Sequence, residues 1–272
     1  MKLYQKYQYF IFDLDGTVYR GDKIIPGAAE TINQLKSLRK KIVFVSNKTT
    51  GTATDYFEFL NKNHINLSPD EIITSTTVIK NYLSKNFVRK KFFAIAEQKF
   101  IDEITDAGLI YSLNDDRIDV VIITLDRTFN YNKLEIAAKA IENGAKFFAA
   151  NIDDTCPVEN GEVIDAGSLI SALEKRTKRK LELHFGKPSK FMIKEIKNRM
   201  KFESDKTLII GDRLETDIAM GNNFGIDTAL VATGVINNSI RNGTITPTYQ
   251  LNSIADLLTF PVNSRKMSIT SF

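Results

Sequence analysis

Apolar residues in this chain fall in short runs that end on polar ones. Residues 9–12, Tyr-Phe-Ile-Phe, stop at Asp13-Leu14-Asp15-Gly16-Thr17, the pattern of a buried strand ending in a polar turn. Two β-prone pieces around Gly21-Asp22 predict a small hairpin. Pro26 and Gly27 then open a helix with Ala29, Ile32, Leu35 and Leu38 at helical spacing. A second buried strand, 42–45, runs into Ser46-Asn47-Lys48.

From about residue 80 the alternation restarts with strands at 92–96, 120–124 and 147–150 and helical patterns at 101–107, 133–143 and 167–176. The first pattern then resumes: Gly186-Lys187-Pro188-Ser189 precedes a helix beginning near Phe191, strand 207–210 ends in Gly211-Asp212, and strand 229–232 follows. Strands alternating with helices predict layered α/β units. Polar stretches at 84–91 and 177–180 suit crossings between two domains, and residues after about Pro261 read as a tail. The expected fold class is α/β: a Rossmann-like parallel-sheet core in two parts, 1–79 and 182–272, with an inserted α/β cap domain at 80–181.

Composition narrows the function. The 272 residues are 43% hydrophobic and 26% charged, which is the balance of a folded globular protein. Thirty-seven basic against 33 acidic residues leave a net charge of only +4, with no arginine-rich arm, so no nucleic-acid partner is expected. The densest basic run, Lys175-Arg176-Thr177-Lys178-Arg179-Lys180, reads as a solvated helix end. One cysteine, Cys156, excludes an internal disulfide and multi-cysteine metal sites. With only His64 and His184, histidine-rich metal chemistry is not expected either, and His184 reads as structural. No apolar stretch is long enough to span a bilayer as a helix, so the expectation is a cytoplasmic protein with no membrane partner.

Three buried strands thus end at Asp13, Ser46 and Asp212, and in an open parallel sheet such ends converge on one crevice. Asp13 and Asp15, two apart on an extended run, point the same way and repel unless a cation or shared proton intervenes. Asp212 can add oxygen, and oxygen-only donors favour Mg²⁺, which couples carboxylates to a substrate phosphate. Ser46 offers a hydroxyl, Asn47 an amide, and Lys187 a compact positive charge at a helix start. In this scheme Asp13 attacks phosphorus and forms an aspartyl phosphate. Asp15 protonates the departing oxygen and later takes a proton from water.

These residues resemble the four motifs of the haloacid dehalogenase (HAD) superfamily. The motifs are Asp13-Leu14-Asp15-Gly16-Thr17-Val18, Ser46-Asn47, Lys187 and Gly211-Asp212-Arg213-Leu214-Glu215-Thr216-Asp217, in family order. The Gly-Lys-Pro-Ser and Gly-Asp-Arg-Leu-x-Thr-Asp forms, with Asp165-Ala166-Gly167-Ser168 ahead of a helix, resemble the 4-nitrophenylphosphatase or NagD-like branch. Lys48 departs from the Asn common there, and Ser46 stands where Thr is frequent.

The resemblance implies Mg²⁺ held by Asp13, the backbone carbonyl of Asp15 and Asp212, with Asp217 behind them holding the ion's waters or Lys187. Because the large insertion lies between Ser46 and Lys187, it resembles a type 2 (C2a) cap. Substrate choice is then expected in the cap, with Asn151 and Asp153 as candidates. The expected activity is hydrolysis of small phosphorylated metabolites such as sugar phosphates or nucleoside monophosphates, with 4-nitrophenyl phosphate as an artificial substrate. Caps of this branch often mediate dimers, so a homodimer is carried as an expectation. A phosphomutase on the same scaffold and a phosphate-binding module without turnover are the alternatives.

Overall fold

The computed structural model describes residues 1–114, 117–158, 161–234 and 245–262. Most of the tail expected after Pro261 therefore lies outside the described residues. The chain divides into two compact units. One comprises 1–46, 56–73 and 193–272, the other 47–55 and 74–192.

The first unit holds a six-stranded sheet in the order Tyr249–Leu251, Asp227–Val231, Thr207–Gly211, Tyr9–Asp13, Lys41–Ser46, Ile72–Thr74. The pairings along its first five strands are parallel. Tyr9–Asp13 and Thr207–Gly211 are almost wholly buried, which is why their sequences read as unbroken apolar runs rather than alternating ones. Rings of Phe10, Phe12 and Phe44 stack in series, with centroids 6.2 and 6.0 Å apart. From Tyr9–Asp13 the chain steps outward through Lys41–Ser46 to one edge. It returns at Thr207–Gly211 on the opposite side of the first strand and steps outward again. That reversal of direction is a topological switch point, where such sheets open a crevice at their carboxyl ends. Register sharpens it: Asp13 lies opposite Val45, one residue before Ser46, and Phe12 opposite Ile210, one before Gly211.

The second unit is built on a five-stranded parallel sheet in the order Leu183–His184, Lys146–Ala149, Val120–Ile123, Lys91–Ile95, Ile110–Tyr111. Phe93, Ile95, Val121, Ile123 and Phe147 form its core with Ala137 and Ile141 of helix Tyr131–Glu142 and Leu173 of helix Ala166–Thr177. A hairpin pairs Thr155–Val158 with Gly161–Ile164.

The borders of this unit fall at 74 and 192, outside the 80 and 181 expected for the inserted domain. Two contacts account for the difference. Tyr82, in helix Ser75–Asn86, packs its ring on Phe148 and Phe185, and Leu183 pairs with Phe148 at the sheet edge. Both stretches proposed as crossings, 84–91 and 177–180, lie inside it. Among the described residues, no helix is long and apolar enough to cross a membrane.

Candidate active site

In the first unit three carboxylates meet. Asp13 closes its strand, Asp212 follows Gly211, and Asp217 lies in a wide π-turn, Leu214–Ile218, that leads into helix Ala219–Phe224. All three are buried, and one oxygen of each lies within 4.8 Å of the others. Such turns recur at functional sites because the extra residue re-aims a side chain. Here the Arg213 N–H donates to Asp217 Oδ2 at 3.3 Å, and the Asp217 N–H donates back to the Arg213 carbonyl at 3.1 Å.

Glycines make the room. Gly16 sits at φ +87°, where a Cβ would stand 2.5 Å from Asp212 Oδ2 and 3.0 Å from the Gly234 Cα. A Cβ on Gly234 would overlap the same Asp212 carboxylate, and one on Gly211 would overlap Asp217. The Gly16 turn is closed by its own N–H to the Tyr19 carbonyl at 2.7 Å, and Thr233 Oγ1 donates to the Gly16 carbonyl at 2.6 Å.

Three buried like charges at this separation repel strongly unless a cation joins them. An all-oxygen donor set, without His or Cys, suits a hard divalent ion. The residues present therefore fit a metal of the Mg²⁺ type. Asp15, half-buried and bridged to Tyr19, keeps its carboxylate outside this cluster, while Ser46 is buried at the end of Lys41–Ser46. Asp217, expected behind the metal ligands, brings its carboxylate within 4.8 Å of Asp13 and Asp212. The signal was its place five residues after Asp212, which a turn wider than an α-helix brings back to the strand end.

The second unit holds the remaining expected site residues. Lys187 is only 2% exposed. Its backbone is clasped by the Asn47 side chain: the Lys187 N–H donates to Asn47 Oδ1 at 2.7 Å, and Asn47 Nδ2 donates to the Lys187 carbonyl at 3.1 Å. Asn47 Nδ2 also donates to Asp153 Oδ2 at 2.8 Å. Both amide protons expected to serve a phosphate are therefore engaged within the chain.

Asn151, buried, donates from Nδ2 to Asp153 Oδ2 at 3.2 Å and to Asp165 Oδ1 at 2.9 Å. Asp165 Oδ1 in turn accepts the Ala166 N–H at 2.6 Å, where helix Ala166–Thr177 begins. After Lys187, Ser189 caps the helix Lys190–Met200. Its Oγ accepts the Met192 N–H at 3.1 Å and donates to the Phe185 carbonyl at 2.8 Å. Burial pushes the His184 imidazole below its ordinary pKa despite a backbone hydrogen bond at Gly186 and the nearby Asp153 charge. It is neutral at pH 7.

A parallel sheet with acidic residues gathered at its switch point defines a class, and comparison with known proteins gives it a family. A model described as haloacid dehalogenase-like hydrolase matches residues 10–110, and a second, HAD-hydrolase-like model matches 184–257. The chain belongs to the haloacid dehalogenase-like hydrolases, in their NagD-like phosphatase branch, and is a hydrolase of phosphoric monoesters.

It is 35% identical over 249 residues to the acid sugar phosphatase of Staphylococcus epidermidis, covering 91% of this chain and 95% of that protein. The crystal structure of a 4-nitrophenylphosphatase from Thermotoga maritima superimposes with a TM-score of 0.86 at 28% identity, covering 97% of this chain and 100% of that one. A glycerol phosphate phosphatase from Mycobacterium tuberculosis, solved in complex with magnesium, gives 0.83 at 28% identity, over 94% of this chain and 78% of that one.

Proposed function

We propose that this phosphatase is Mg²⁺-dependent and hydrolyses small sugar phosphates through an aspartyl-phosphate intermediate. The buried Asp13–Asp212–Asp217 cluster is the observation that carries this reading. The sugar phosphatase of S. epidermidis and the magnesium complex of the M. tuberculosis relative support it. Asp13, Asp212 and the Asp15 carbonyl are the proposed metal ligands, with Asp217 beside them. The ion, when bound, offsets carboxylate and phosphoryl charge so that one anion can approach another.

The chain's own residues do the rest. An Asp13 oxygen attacks phosphorus as the bond to the sugar oxygen breaks, and Asp15 gives that oxygen its proton. Asp15, now ionised, then takes a proton from the water that cleaves the acyl phosphate, restoring Asp13. Ser46 and Lys187 hold the non-bridging oxygens, which concentrates charge stabilisation where charge develops. The proposed setting is cytoplasmic and the proposed assembly a homodimer.

The test is phosphate release from a panel of sugar phosphates, nucleoside monophosphates and 4-nitrophenyl phosphate, with and without Mg²⁺. Expected are Mg²⁺-dependent turnover with a preference among the sugar phosphates and complete loss in Asp13→Asn. Metal-independent release, or an active Asp13→Asn variant, overturns the mechanism. A preference for nucleotides overturns the substrate class alone.

A further inference from the structure

We infer that Asp153, acting through Asn47, is a positioning residue that fixes the backbone at Lys187, rather than a residue that selects the substrate. The inference rests on the reading of Lys187 as a phosphate ligand. A lysine held almost wholly inside the protein reaches one place only if its own backbone is fixed, and Asn47 grips both sides of that residue. An asparagine amide is nearly symmetric in shape, and turned over it would oppose its oxygen to the Lys187 carbonyl and its NH₂ to the Lys187 N–H. The Lys187 peptide itself disfavours that orientation, and a further partner on the amide deepens the preference.

Asp153 does so, because an ionised carboxylate only accepts: at 2.8 Å from Asn47 Nδ2 it admits the NH₂ and rejects the oxygen. Asp153 is itself held by Asn151, whose second amide proton is anchored on Asp165 and thereby on the start of a twelve-residue helix. Gly186 lets the parts close up, since a Cβ there would stand 2.5 Å from Asn47 Oδ1 and 2.9 Å from the Ala150 carbonyl. The result is a relay of charge-assisted and amide hydrogen bonds, Asp165–Asn151–Asp153–Asn47, ending on the Lys187 peptide.

Positioning and selection differ in what they do across substrates. Loss of a group that orients a phosphate ligand affects every phosphomonoester alike, whereas loss of a group that touches the sugar affects some and spares others. The experiment measures kcat/KM for 4-nitrophenyl phosphate and several sugar phosphates, with inhibition by inorganic phosphate, in Asp153→Ala, Asp153→Asn, Asn47→Ala, the Asn47→Ala/Asp153→Ala double variant and Lys187→Ala.

Expected for Asp153→Ala is a fall of up to ~10²-fold, shared by all substrates, with phosphate inhibition weakened alongside. The double variant should be no worse than the poorer single one, as for residues that work as one unit. Asp153→Asn, which keeps an acceptor oxygen and nearly the same shape, recovers part of the loss and carries the comparison should Asp153→Ala not fold. Losses confined to particular sugars, additive losses, or wild-type kinetics in Asp153→Ala each overturn the inference. If Lys187→Ala keeps wild-type phosphate inhibition, the reading of Lys187 falls and takes the inference with it. If that variant loses inhibition while Asp153→Ala does not, the inference alone falls.

Discussion

Replacing Gly16 with alanine tests whether the carboxylate cluster depends on the space that glycine leaves. Two separate costs apply. The left-handed backbone at φ +87° costs a residue with a Cβ about 1–2 kcal/mol. The new methyl then meets Asp212 Oδ2 at 2.5 Å and the Gly234 Cα at 3.0 Å, and overpacking of this kind costs about 1–3 kcal/mol. Because Gly234 presents backbone, the Asp212 carboxylate is the part that must move. The sum, about 2–5 kcal/mol, corresponds to a melting temperature lowered by about 4–20 °C for a domain of this size.

Gly21→Ala is the control, since Gly21 is also left-handed, at φ +62°, yet a Cβ there meets nothing within 4 Å. It should lose only the backbone part, about 1–2 kcal/mol. Thermal melts across a Mg²⁺ titration, with phosphate-release kinetics at each concentration, separate the two. Gly16→Ala should need far more Mg²⁺ for half-maximal activity and gain little thermal stability from it, while Gly21→Ala responds as wild type does. Equal Mg²⁺ responses in the two variants would refute the argument that Gly16 keeps Asp212 in place.

Further outcomes follow from other parts of the molecule. Chelation should abolish activity and lower the melting temperature, and Mg²⁺ should restore both, since an ion bound only by the folded state stabilises it; unchanged melting on chelation counts against a buried metal site. Burial pushes the Asp227 carboxyl up, but hydrogen bonds from Tyr7 and Lys6 and the Lys6 charge outweigh it and hold the group below its ordinary range. A depressed carboxyl contributes stability above its unfolded pKa and loses it as pH falls through the folded one. Asp227→Asn should therefore melt below wild type at pH 7, with the gap closing in acid below about pH 4; a gap independent of pH contradicts this. Ser189→Ala should cost about 1–2 kcal/mol in denaturant unfolding, because the Met192 N–H loses its cap in a buried setting.

The central strands were legible because burial on both faces turns each into an uninterrupted apolar run with an abrupt polar end, as at Phe12-Asp13 and Ile210-Gly211-Asp212. Those polar ends carry Asp13 and Asp212, two of the three carboxylates that meet. Helices Ala53–Lys62 and Ser75–Asn86 went unread. The first buries only Tyr56 and Leu60, and the second carries a Ser-Thr-Thr start that resembles a loop; in each, tertiary packing outweighs local pattern. Asn47 was legible as a site residue but not in its role, since the partner that takes its amide proton, Asp153, lies far along the chain. The approach of the Asp217 carboxylate to Asp13 and Asp212 was not legible for a different reason: helical periodicity does not foresee a π-turn.

The pairing of Tyr9 with Thr207 also bears on how the protein is made. Asp13 leaves the ribosome early, but the strand that flanks it on one side is translated only after the whole second unit. Until then the central strand presents a bare apolar edge, a template for pairing with other chains, and synthesis interrupted before residue 207 leaves it so. The acidic cluster is likewise incomplete in every shorter nascent fragment, since Asp212 and Asp217 follow Thr207–Gly211 in the chain.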